Sequence, residues 1–137
     1  MKKNKIIVMA LGVCACISAV TITASAAMFF NVYGALTSGN WNPFKTDVAS
    51  TYGYVGWVNQ NIRDNYGHVD ATIYWKDSSG NDRTTKNSVE FTDVAGKTPT
   101  VNAESGNDDS HATSYHYGYL YDRLSNKSFS DSGHKSE

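Results

Sequence analysis

The sequence predicts an all-β protein: a small antiparallel β-sandwich, or an open barrel, behind an N-terminal signal helix. Three observations carry this. Short apolar or alternating runs recur roughly every ten residues with turn clusters between them. One run, His68–Lys76, alternates cleanly between apolar and polar residues. No segment after the first apolar run has a helical period, which argues against an α/β fold. The expected organisation is a signal peptide at 1–26, a sandwich domain at 27–124 and a disordered polar tail at 125–137.

Met1-Lys2-Lys3-Asn4-Lys5 is a short basic start, Ile6 to Ile22 an apolar run, and Ala24-Ser25-Ala26 a small-residue exit. That order is the signature of a secretory signal peptide, cut after Ala26. The run lies near the lower limit of about 17–25 residues for a spanning helix and lacks a basic stop-transfer flank, so no stable transmembrane anchor is expected. Lipid anchoring fits less well. Val13 is a poor residue to precede a cut at Cys14, and a cut at Cys16 leaves a sticky new N-terminus. Both cysteines leave with the signal, so the secreted chain has no disulfide, thiolate zinc site or cysteine nucleophile. Lys2, Lys3 and Lys5 leave too, while all 13 acidic residues stay. The extracellular product is therefore more acidic than the full chain, whose net charge is −1. Acidity of this kind opposes binding to nucleic acid or to anionic lipid. Only 18 % of residues are charged and 40 % are hydrophobic, which excludes a charge-driven disordered chain.

The elements follow in order. Met28–Leu36, with Phe29, Phe30, Val32 and Tyr33, reads as a first strand or a buried N-terminal arm. Thr37–Asn42 is a turn cluster, reinforced by Asn42-Pro43. Thr51–Ile62 reads as a strand with a bulge near Gly56, or as a short helix over Val55–Ile62. In His68–Lys76 the inner face is Val69, Ala71, Ile73 and Trp75; the outer face is His68, Asp70, Thr72, Tyr74 and Lys76. Asp77–Asp82 is a hairpin turn, and Arg83–Asp93 returns with Val89 and Phe91 inward. Lys97–Ala103 reads as a short edge strand because of Pro99. Glu104–Ser110 is a polar turn, and His111–Tyr121 is a last, aromatic strand.

That last strand holds the densest feature. Tyr115, Tyr117, Tyr119 and Tyr121 share one face, spaced about 6.6–7 Å apart along it, and His111 and Thr113 continue that face. The opposite face, Ala112, Ser114, His116, Gly118 and Leu120, is the less hydrophobic. Hydrophobicity therefore predicts that the tyrosines pack inside the sandwich. The alternative is an exposed platform that stacks on sugar rings or lies at a membrane interface. Trp41, in Gly39-Asn40-Trp41-Asn42, either makes contact from an exposed loop or packs beneath it.

Chemistry is thin. Asp108, Asp109, His111 and His116 have metal-ligand chemistry, but His111 and His116 are five apart and face opposite sides of a regular strand. No metal or other cofactor is expected. No nucleophile elbow, phosphate loop or Ser/His/Asp order is present, and the paired carboxylates lie in turns that already explain them. An enzyme is therefore not expected.

Gly39-Asn40-Trp41, the stretch His68–Tyr74 (HVDATIY) and the closing His/Tyr-rich strand resemble the lactococcin-type secreted bacteriocins. The resemblance lies in short pieces over residues 38–121. It implies a small sandwich from a Gram-positive bacterium that interferes with cell-wall synthesis by binding the lipid-linked wall precursor. The chain departs from that family in being longer and acidic, in its apolar arm at Met28–Leu36, and in continuing past the aromatic strand.

The expected function is that of a secreted, non-enzymatic protein acting at the bacterial cell envelope on a wall component or wall precursor. The alternative is a carbohydrate- or surface-binding module of the producing cell. Trp41, His68, His111, Tyr115 and Tyr117 are the candidate binding residues in either case.

Overall fold

The computed structural model describes residues 28–41, 44–56, 64–106 and 110–136. The signal segment lies outside them. Contacts divide the chain into two units, and both sheets, but for the end residues Phe29 and Gly56, belong to the larger, Phe30–Val55 with Arg63–Glu137. Eight strands appear in order: β1 Phe29–Trp41, β2 Phe44–Gly56, β3 Asn65–Lys76, β4 Asp82–Thr92, β5 Gly96–Lys97, β6 Val101–Glu104, β7 Ser110–Asp122 and β8 Lys127–Ser136. They form two four-stranded sheets. One has the order β1-β2-β5 with β6 also on β2, and the other has the order β4-β3-β7-β8. Among the described residues both are antiparallel and no barrel closes, so this part of the chain is all-β and sandwich-like.

The β3–β4 hairpin follows directly from its sequence. Val69 pairs with Val89 and Gly67 with Phe91, so the apolar sets of the two strands share the inner face. The Asp77 carboxylate accepts the backbone N–H groups of Ser79 and Asn81, both at 2.9 Å, and Gly80 takes the positive φ that the turn needs.

Four expectations are corrected. Thr37–Trp41 is not a turn but the end of β1, where a paired neighbour overrides the local turn preference. β2 remains a strand to Gly56, which removes the helix alternative at Val55; residues 57–62 lie outside the described residues. The expected strand Lys97–Ala103 is split into β5 and β6, both on β2. Pro99 cannot donate to a ladder, and the Thr98 hydroxyl accepts the Gly53 N–H at 2.8 Å beside the break. Finally, Lys127–Ser136 is not a loose tail. It pairs with β7 from Asp122↔Lys127 to Thr113↔Ser136 and forms the sheet edge.

The core contains Phe30, Val55, Val69, Ile73, Phe91, Val101 and Leu120, each with under a tenth of its surface exposed. Burying each of the larger ones stabilises the fold by about 1.5–3 kcal/mol. Phe30 from β1 stacks on Phe91 from β4 with ring centroids 6.2 Å apart, which joins the sheets. At the centre lies His116, 1 % exposed. Its Nδ1 is 2.7 Å from the Thr51 hydroxyl of β2, and its Nε2 is 2.8 Å from the Ser114 hydroxyl.

The inner face of β7 is therefore Ala112, Ser114, His116, Gly118 and Leu120, and the tyrosines face outward. This reverses the prediction from hydrophobicity. The reason is space. A Cβ on Gly34 of β1 would lie 2.1 Å from the His116 ring, and one on Gly118 would lie 2.6 Å from Val32. Gly34 on β1 makes room for the His116 ring and Gly118 on β7 makes room for Val32, and a gap matched in this way has no space for a row of four tyrosine rings.

Candidate functional site

The outer face of the β4-β3-β7-β8 sheet is a grid fixed by register. β7 contributes Tyr115, Tyr117, Tyr119 and Tyr121 in a row. Across from them on β3 lie Thr72, Asp70, His68 and Tyr66. On the other side, β8 places His134, Ser132, Ser130 and Ser128 opposite the same four tyrosines. Beyond β3, β4 adds Lys86, Ser88 and Glu90 opposite Thr72, Asp70 and His68.

The rings tile. Tyr66 lies 5.5 Å from Tyr121, and His68 lies 5.9 Å from Tyr117 and 6.0 Å from Tyr119. Tyr115 meets His134 edge-on at 4.7 Å. Arg123 covers the Tyr66 ring at 4.7 Å. Such pairs contribute about 0.5–1.5 kcal/mol each beyond their buried area, and they hold the rings in place. The Tyr119 hydroxyl lies 3.3 Å from Ser128, and the Tyr121 hydroxyl donates to Asn126.

A polar knot lies inside this aromatic surface. Asp70 is 5 % exposed. One carboxylate oxygen accepts from the Ser88 hydroxyl at 2.6 Å and from His68 Nδ1 at 3.0 Å; the other meets Lys86 Nζ at 3.1 Å. Burial pushes the Asp70 carboxyl up, but the bonds from Ser88, Lys86 and His68 outweigh it and hold its pKa below the ordinary carboxylate value. Asp70 thereby orients His68, leaving Nε2 as the ring nitrogen it does not engage.

The sequence candidates separate. His68, Tyr115 and Tyr117 share this face. Trp41 ends β1, in the other sheet, and its side chain lies outside the described residues, as does that of His111. His116 is buried between the sheets and His68 is on the outer surface, so these two histidines do not converge. Asp108 and Asp109 lie outside the described residues. Among the described residues, no three His, Cys, Asp or Glu side chains gather to hold a metal. Tyr66, Asp70, Tyr74 and His134 were not among the candidates. Tyr66, Asp70 and Tyr74 have the same strand parity as His68, and that parity was legible. His134 required β8 to be recognised as a strand.

These features define a class: a small protein of two antiparallel sheets, one of which carries a row of four tyrosines on its outer face. No family model matches the chain, and no curated protein matches it. Among solved structures, a calcium-binding mutant of Bacteroides uniformis β-glucuronidase 2 is similar at a TM-score of 0.35 and 15 % identity, over 85 % of this chain. The chain spans 13 % of that protein. A structural-genomics target of the Northeast consortium is similar at a TM-score of 0.30 and 11 % identity, over 82 % of this chain and 89 % of its own.

Proposed function

We propose that this is a secreted, non-enzymatic binding protein that acts at the bacterial cell envelope, with a wall component as its ligand. The observation that carries the proposal is the row of four tyrosines on β7, turned outward and flanked by His68 on one side and His134 on the other. A flat array of rings with hydroxyl edges is suited to stacking on sugar rings and hydrogen bonding to their hydroxyls. Its rings are braced by one another, so little side-chain entropy is left to lose on binding. The envelope setting rests on the signal-like N-terminus and on the resemblance to lactococcin-type bacteriocins. Trp41 and His111 remain candidate contacts on the same grounds.

The experiment has two arms run together: growth inhibition of a Gram-positive panel by purified protein, and sedimentation with purified cell walls. Inhibition with wall retention supports an antagonist of other bacteria. Retention without inhibition supports a surface-binding module of the producing cell. Absence of wall retention would remove the proposal. Tyr117→Ala is expected to lose wall retention while the protein stays folded by circular dichroism. Trp41→Ala is expected to lose wall retention in the same way; a variant that unfolds instead removes Trp41 from the candidate contacts.

A further inference from the structure

We infer that the ligand of this face is an extended, uncharged polysaccharide lying along β7, rather than an anionic wall polymer or a phosphate-bearing lipid; the inference rests on the envelope-binding reading above. Two independent observations carry it, one of charge and one of shape.

Polyanions and anionic lipids are held by cations free to meet them. Each cation on the β3, β4 and β7 side of this face already has its carboxylate. Lys86 meets Asp70 at 3.1 Å, and Lys76 meets Asp82 at 2.5 Å. Arg123, at the rim, meets Asp64 at 2.5 Å. Glu90, opposite His68, adds a negative charge with no cation in ion-pair reach among the described residues. On β8, Lys127 and Lys135 stand opposite Asp122 and Ser114, on the parity of the inner face, so the outer face is neutral to slightly acidic. The complement of such a surface is a ligand without charge.

The shape is linear. From Tyr115 to Tyr121 the row runs straight for about 20 Å, at roughly 3.4 Å per residue. Along its β8 side lie exposed Ser128, Ser130 and Ser132, opposite Tyr121, Tyr119 and Tyr117. A ring row paired with a hydroxyl row at one repeat suits a straight polymer that presents C–H faces to the rings and hydroxyl or acetamido groups to the serines. A compact ligand would use one or two tyrosines and leave the rest of the row idle.

The test is calorimetric titration of purified protein with β-1,4-linked N-acetylglucosamine oligomers of increasing length, about two to six sugars to match the row. Polyglycerol phosphate serves as the anionic comparator. Affinity is expected to rise with length and to stay level from about 50 to 500 mM salt, since no counterions are released. Tyr117→Ala and Tyr119→Ala are each expected to weaken the longest oligomer about tenfold or more. Tyr117→Phe is expected to retain binding, because the ring and not the hydroxyl does the stacking. Equal affinity for short and long oligomers overturns the inference. So does a preference for polyglycerol phosphate that weakens with salt. Tyrosine-dependent retention on whole walls with no oligomer binding overturns the neutral-glycan inference and leaves the envelope-binding proposal standing. Absence of any wall retention removes both.

Discussion

His116 touches both sheets, and its two ring nitrogens are taken up by the hydroxyls of Thr51 and Ser114. Burial, with Lys135 and His134 nearby, pushes its pKa below the ordinary 6.5. The unfolded chain therefore takes up a proton more readily than the folded one. The stability that depends on a neutral His116 is complete above pH 6.5 and declines as pH falls below it. Asp70 acts lower on the scale. Its folded pKa lies below 3.8, so its contribution is complete above that value and is lost as pH falls through the folded value. Thermal melts across this range are expected to show a first loss of stability beginning near 6.5. His116→Gln, which keeps polar groups on the ring's side without titrating, is expected to remove that first loss and leave the second. Gly34→Ala tests the same contact from the other sheet. The added methyl meets a ring pinned at both nitrogens, so a cost of about 1–3 kcal/mol is expected in denaturant unfolding.

At the scale of elements, β7 does two jobs with alternate residues. Leu120 is wholly buried, and its replacement by Ala is expected to cost about 2–5 kcal/mol. Tyr117 lies three residues earlier on the other face. Its replacement by Ala is expected to cost less than that of Leu120, the ring contact with His68 contributing about 0.5–1.5 kcal/mol beyond the part of its surface that is buried. Urea midpoints for the two variants check the contrast. β8 supplies the other prediction. Its amides that bond to β7 are expected to resist hydrogen exchange well beyond those of a free tail, while the alternate, outward amides exchange quickly. β3 was legible because Val69, Ala71, Ile73 and Trp75 alternate without a break. β8 was not, because an edge strand needs few apolar residues: Phe129, opposite Leu120, is its one large one. Serine and lysine on an edge look the same in sequence as serine and lysine in a tail. The face of β7 was misjudged for a different reason. Counting apolar residues on β7 alone cannot register Gly34 and Val32, which lie on another strand and set how much room its inner side has.

For the whole molecule, the two sheets divide the labour. One is a support that supplies Phe30, Thr51 and Val55 to the interior. The other carries the interior on one side and the tyrosine row on the other. Part of that row's setting was readable before the fold was known: His68, Asp70 and Tyr74 share parity on β3, and the tyrosines share parity on β7. What a single strand could not convey is the order β4-β3-β7-β8, which brings the two sets side by side. The same alternation makes the chain unequally tolerant of length changes. Losing one residue within Tyr115–Leu120 would exchange the two faces of β7 downstream of the cut, sending tyrosines against β1 and Leu120 into water. Losing two would restore the parity and shorten the platform by one ring. Substitutions at the outward tyrosines thus leave the fold standing, and binding can drift toward new ligands, while a single-codon deletion in the same six residues disrupts the fold.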